Sequence, residues 1–138
     1  MANRVHWIKR LMAAGLSAGT SLVIAACYGV SQGMNITRLV RGRVTHNQQA
    51  VRGLEVCAKA PSEGSACATT DDNGDYSIDT YETMATDAND QGFDLVVTDT
   101  DGPANGGEFQ KATTHVAPGS VPADVDVDVR LVSDATNQ

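Results

Sequence analysis

Short runs in which apolar and polar residues alternate one for one, divided by clusters of turn-forming residues, confine this chain to a β fold. The plainest run spans 121–131. Val121, Ala123, Val125, Val127, Val129 and Leu131 fall on one face, and Asp124, Asp126, Asp128 and Arg130 on the other. A period of two sends successive side chains to opposite sides of a strand, so such a run buries one face and wets the other. The pattern recurs at 39–45, where Val40, Gly42 and Val44 oppose Arg41, Arg43 and Thr45, and at 54–59, where Leu54, Val56 and Ala58 oppose Glu55, Cys57 and Lys59. Further strands are expected at 65–70, from Tyr76, at 93–98 and at 109–116, with turns at 46–50, 61–64 and 71–75. Asn73-Gly74 suits a turn that needs positive φ. Residues 82–91 read as a longer polar connection with room for a helical turn, and 99–107 (DTDGPANGG) as a loop. The expectation is an all-β chain: a single small antiparallel β-sandwich of about seven strands at 39–132, with a disordered tail at 133–138.

The first 26 residues have a different character. Arg4, Lys9 and Arg10 give a basic start, and residues 11–26 (LMAAGLSAGTSLVIAA) are uncharged but interrupted by Gly15, Ser17, Gly19, Thr20 and Ser21. That stretch is shorter than the roughly 20 apolar residues a spanning helix needs. A basic start, a short apolar stretch and small residues at its end describe a signal peptide, at 1–26. What remains carries seven basic and seventeen acidic side chains. So acidic a surface repels nucleic-acid phosphate and anionic lipid alike, so no nucleic-acid partner is expected. After residue 26 the aromatics are Tyr28, Tyr76, Tyr81, Phe93 and Phe109, so the core must be built mainly from Val, Leu, Ile and Ala.

Ile24-Ala25-Ala26-Cys27 resembles the lipobox of bacterial lipoproteins, with Ile24 in place of the usual Leu. The resemblance implies that the Cys27 thiol is diacylglycerated, that the bond before it is cut, and that the new amine is acylated. Several acyl chains, at about 0.8 kcal/mol per buried CH₂, anchor stably where one does not. Residues 27–38 are then the lipidated Cys and a flexible tether. The implied location is the cell envelope, with Tyr28 (not Asp) after the Cys leaning to the outer membrane.

Two further resemblances cover the body of the chain. Gly42-Arg43-Val44, Gly53-Leu54-Glu55-Val56 and Thr70-Asp71-Asp72-Asn73-Gly74-Asp75-Tyr76 resemble the G-x-V, G-x-x-V and T-D-x-x-G-x-Y elements of transthyretin-like, carboxypeptidase-regulatory or CnaB-type domains. That family implies a seven-stranded sandwich used for adhesion, spacing or docking without catalysis. The lipobox running into Tyr28-Gly29-Val30, this module, and the segment Asp101-Gly102-Pro103-Ala104-Asn105-Gly106-Gly107-Glu108-Phe109 together resemble small lipoproteins encoded beside a radical SAM enzyme. The implied partners are that enzyme, with this chain its substrate or companion, and a cell-envelope protein. Such enzymes are cytoplasmic, so any modification would precede export.

With Cys27 assigned to lipid, Cys57 and Cys67 remain as an even pair in an oxidising compartment. A hairpin centred on Ser62 pairs Ala60 with Gly64, Lys59 with Ser65, Ala58 with Ala66, and Cys57 with Cys67. Opposed Cβ atoms lie about 4.5–5.5 Å apart, and a disulfide needs about 3.5–4.5 Å, so the two are expected to bond after small adjustment. The alternatives are free thiols or a redox or metal pair, for which a ten-residue spacing with no adjacent His is poor.

Asp99, Asp101, Gly102 and Glu108 match four positions of an EF-hand loop, but Val97 occupies the first ligand position and has no side-chain oxygen. Asp99, Asp101, Asn105 and Glu108 could still form a weak calcium site, and a calcium-stabilised surface adhesion module is the alternative function. Asp71, Asp72, Asn73 and Asp75 read as turn chemistry, and Asp124, Asp126 and Asp128 as a solvated strand face. His46 and His115 stand apart from any nucleophile motif, and no glycine-rich phosphate loop precedes a helix. No catalytic residues and no cofactor are expected.

Overall fold

A computed structural model describes residues 35–137. The signal peptide, Cys27 and most of the expected tether lie outside the described residues. In chain order the elements are β1 (Ile36–His46), β2 (Gln49–Ala50), β3 (Glu55–Ala60), β4 (Gly64–Thr69), β5 (Asp75–Tyr81), α1 (Glu82–Gln91), β6 (Phe93–Thr98), β7 (Ala112–Val116), β8 (Ala123–Asp124) and β9 (Val127–Asp128). Residues 104–106 and 132–137 form 3-10 turns.

β1 organises the first sheet. One edge pairs antiparallel with β5 along Ile36–Arg43 and then with β2, while the other edge carries β8 and β9. The second sheet is antiparallel throughout, in the order β4-β3-β6-β7. One buried cluster draws on both sheets: Leu39, Val40, Val44 and Ile78 from the first, Val56, Phe93, Leu95 and Val97 from the second. The described residues therefore form a small all-β sandwich with one helix. Among the described residues, no helix is long and apolar enough to cross a membrane.

The faces follow the alternation. Ala123, Val127 and Val129 are buried, while Asp124, Asp126, Asp128 and Arg130 are exposed. β1 adds one irregularity: its pairing with β5 shifts between Arg38 and Val40, so Leu39 and Val40 are buried side by side. A bulge of this kind turns two consecutive side chains to one face.

Four features depart from the sequence expectation. Residues 121–131 do not form one antiparallel strand; β8 and β9 run parallel to β1. The reason is the crossover, because β7 ends where β1 begins, and the chain re-enters the other sheet in the direction of β1. The stretch expected as a polar connection is helical over Glu82–Gln91, burying Met84, Ala85 and Ala88, and stops at Gly92 (φ 77°). The tether ends sooner than residue 38, since Ile36, Thr37 and Arg38 pair with Tyr81, Thr80 and Asp79, and Arg38 Nε lies 3.2 Å from Asp79 Oδ1. The expected tail instead turns in a 3-10 helix, with the Val132 amide donating to the Glu108 carbonyl (2.9 Å) and the Asp134 amide to the Leu131 carbonyl (3.1 Å).

Candidate functional site

The strand directions sort the connections into two groups. The near end of the sandwich, where β1 begins, carries the β3–β4 turn, α1 and residues 117–122. The far end gathers the β1–β2 turn, residues 51–54, the 71–74 turn, the 99–111 loop and the residues after β9. Loops grouped on a rigid scaffold are the usual place for binding groups.

The 99–111 loop is held by a chain of side-chain bonds. Asp99 Oδ1 accepts from the amides of Asp101 (3.2 Å) and Gly102 (2.9 Å), and Oδ2 accepts from the Phe109 amide (2.9 Å), so one carboxylate ties both ends of the loop. Asp101 accepts from Asn105 Nδ2, Asn105 Oδ1 accepts from Arg52 Nε (3.0 Å), and Arg52 Nη1 donates to Asp72 Oδ1 (3.0 Å). Gly53 is required beneath this chain: a Cβ there would sit 2.4 Å from Asn105 Nδ2. Of the four expected calcium ligands, Asp101 and Asn105 thus bond each other and Asp99 is taken up by backbone amides. Among the described residues, Asp99, Asp101 and Glu108 do not converge within ligand distance. The group that does converge, Glu55 with Cys57 and Cys67, has its two sulfurs joined in a disulfide.

Burial pushes the Asp99 carboxyl up, but the amides of Phe109, Asp101 and Gly102 outweigh it and hold the group below its ordinary range. Burial raises Asp101, and the neighbouring Asp99 charge adds to that. A carboxyl depressed on folding stabilises above its unfolded value and loses that contribution as pH falls through the folded one. The bonds made by Asp99 are therefore expected to hold through the ordinary carboxylate range, near pH 3.9, and to be lost only below it, after the raised Asp101 has taken up its proton. The check is an NMR titration of the Phe109 amide, which donates to Asp99; a midpoint above about pH 4.5 would mean that Asp99 does not carry this bond.

The row of aspartates on the outer face is matched partner by partner to β1. Asp124 pairs with Arg41, Asp126 Oδ1 accepts from the Arg43 amide (2.8 Å), and Asp128 Oδ1 accepts from the Thr45 hydroxyl (3.2 Å). Arg41 holds Asp124 below the usual carboxylate range, and Arg43 does the same to Asp75.

Beside the loop lies a polar depression of about 560 Å³ that joins residues far apart in sequence: His46 and Asn47 from the β1–β2 turn, Gln110, the 128–130 strand end and Asp134. His46 Nδ1 lies 2.9 Å from the Val129 carbonyl, which only accepts, so the proton of the neutral ring sits on Nδ1. Nε2 then accepts from Asn47 Nδ2 (3.0 Å). The ring meets Phe109 edge-on at 5.7 Å. Gln110 is fixed by its amide on the Arg130 carbonyl (2.7 Å) and its side chain on the Leu131 carbonyl (3.0 Å). Asn47 (φ 51°) and Gln48 (φ 69°) both take the left-handed conformation that a two-residue hairpin turn demands. For Gln48 this is uncommon and costs energy.

Comparison of the sequence with models of known protein families and with curated proteins found no match. The functional reading therefore rests on geometry. Arg38, Arg41, Arg43 and Arg52 each contact an aspartate. Arg130 lines the depression and has no carboxylate partner among the described residues. His46, isolated in the sequence, acquires its surroundings only through the pairing of β9 with β1 and the bridge between Phe109 and Leu131. His115 contacts Asp94 (2.9 Å) on the exposed face of the second sheet. This arrangement offers a preset, polar, mixed-charge surface suited to binding.

Proposed function

We propose that this chain is a lipid-anchored module of the cell envelope, non-catalytic, held at its near end through acylated Cys27 and binding with its far end. The observation that carries the reading is the polarity of the sandwich. β1 begins at the near end, eight positions of chain separate Asn35 from Cys27, and the long loop and polar depression sit at the other end. Eight residues span at most about 26–29 Å, so an anchor at Cys27 would hold the near end within that distance of the bilayer and let the far end lie farther out. The acidic surface supports attachment by acyl chains over attachment by charge. The segment 101–109, on which the resemblance to radical SAM-associated lipoproteins rests, belongs to this far end. On that reading the enzyme acts on the chain before export.

The test is intact mass and fractionation of the protein from membranes of its native host. The expected species starts at an acylated Cys27, is two mass units light until reduced, and sediments with membranes. Cys27→Ala is expected to lose the acyl mass and move to the soluble fraction. A native chain without acyl mass overturns the anchor. Extra mass on the 101–109 peptide would identify the modification, and its absence from protein made beside the enzyme would remove that partner.

A further inference from the structure

The far-end depression carries charges of both signs. Asp128 and Arg130 stand two residues apart on the exposed face of an extended segment, which sets their stems about 6.6 Å apart along the chain. Asp128 is steadied by the Thr45 hydroxyl through one oxygen, and Arg130 meets no carboxylate among the described residues. Asp134 adds a second anionic group to the rim.

The walls between these charges are amide and imidazole groups already oriented by the backbone. His46 is held by the Val129 carbonyl and Phe109, Gln110 by the Leu131 carbonyl, and Asn47 by the left-handed turn and the His46 ring. Groups fixed in this way lose little further freedom when a ligand arrives. The hollow, at about 560 Å³, lies within the usual range for small-molecule sites.

We infer that this depression binds a small zwitterion, its carboxylate on the Arg130 guanidinium and its ammonium on the Asp128 and Asp134 carboxylates. Arg offers a planar fork to a carboxylate, and the aspartates accept from an ammonium. The inference rests on reading the far end as a binding end, and does not depend on acylation of Cys27.

The experiment uses the full-length protein in detergent, with glycylglycine as probe and two blocked relatives: N-acetylglycylglycine, which lacks the amine, and glycylglycinamide, which lacks the carboxylate. Binding is read from the His46, Gln110 and Asp128 resonances and by calorimetry. The expected result is saturable binding of glycylglycine, with each blocked probe at least tenfold weaker. Arg130→Gln is expected to reduce glycylglycine to the affinity of glycylglycinamide and leave the latter unchanged. Asp128→Asn is expected to act likewise for the acetylated probe, and both exposed changes leave the fold intact. If the acetylated probe binds as well as glycylglycine, the zwitterion is overturned while the far end remains a binding end. If those resonances ignore all three probes, the zwitterion is overturned, while the anchored binding module is judged separately by intact mass and fractionation.

Discussion

Gly42→Ala is expected to destabilise the domain by about 3 kcal/mol, although alanine is ordinarily the better residue in a strand. A Cβ at position 42 would lie 1.8 Å from the Val125 carbonyl oxygen, 2.5 Å from its carbon and 3.0 Å from the Tyr76 hydroxyl. Two of the three nearest atoms are backbone, so no side-chain rotation relieves the clash. The segment they belong to is tied down on both sides. The Val125 amide donates to Arg41 O (2.8 Å), the Arg43 amide to Asp126 Oδ1 (2.8 Å), and the Val129 amide to Thr45 O (2.7 Å). Pushing this segment off β1 also parts the Tyr76 hydroxyl from the Val125 carbonyl, 2.6 Å away. Overpacking costs about 1–3 kcal/mol and the lost hydrogen bond about 1, against a gain of roughly 0.5–1 from replacing glycine in a strand. Denaturant unfolding measures the sum. Tyr76→Phe, which removes the hydrogen bond without a clash, should cost about 1 kcal/mol. A Gly42→Ala protein as stable as the wild type would mean that the Val125 carbonyl does not occupy the space above Gly42.

The same contact explains which parts of the fold were legible in the sequence. The residues of the T-D-x-x-G-x-Y run each meet a local demand. Thr70 Oγ1 accepts from the buried Leu54 amide (3.0 Å), Asp71 Oδ1 from the amides of Asn73 (2.8 Å) and Asp75 (2.9 Å), Gly74 takes φ 74°, and Tyr76 reaches Val125. Local demands leave local signatures, as do strand faces, and both could be read. Direction could not, because a period of two is the same in parallel and antiparallel strands, and only the crossover after β7 decides that 123–128 runs with β1. Residues 82–91 hold few apolar side chains beyond Met84, Ala85 and Ala88, too narrow a stripe to stand out from a polar connection. The candidate site divides along the same line. The acids and amide of 99–105 were visible as a cluster, but their oxygens serve the loop's own donors. The depression at His46 joins positions up to 88 apart, and no local pattern marks it.

Breaking the Cys57–Cys67 bond is expected to cost about 2–3 kcal/mol, or roughly 10–20 °C in melting temperature for a domain of this size. The two residues face each other in the β3–β4 register, with Cα atoms 4.1 Å apart, on the outer face of the second sheet. The bond closes a loop only ten residues long, so its entropic contribution is near the low end for disulfides, but its position makes that contribution count. Among the described residues, β4 is an edge strand with one hydrogen-bonded neighbour, β3, and its residues are small: Gly64, Ser65, Ala66, Cys67, Ala68 and Thr69. Ala66 and Ala68 pack only partly buried against the core, so little apolar area holds this strand down without the crosslink. Thermal melting with and without reductant measures the effect, and a Cys57→Ala, Cys67→Ala double variant separates it from thiol side reactions. Hydrogen exchange should quicken first at the β4 amides, while those of β1 and β6, buried at the centre of each sheet, change only with global stability. A reduced protein that melts within about 2 °C of the oxidised one would show that the β3–β4 ladder closes without its crosslink.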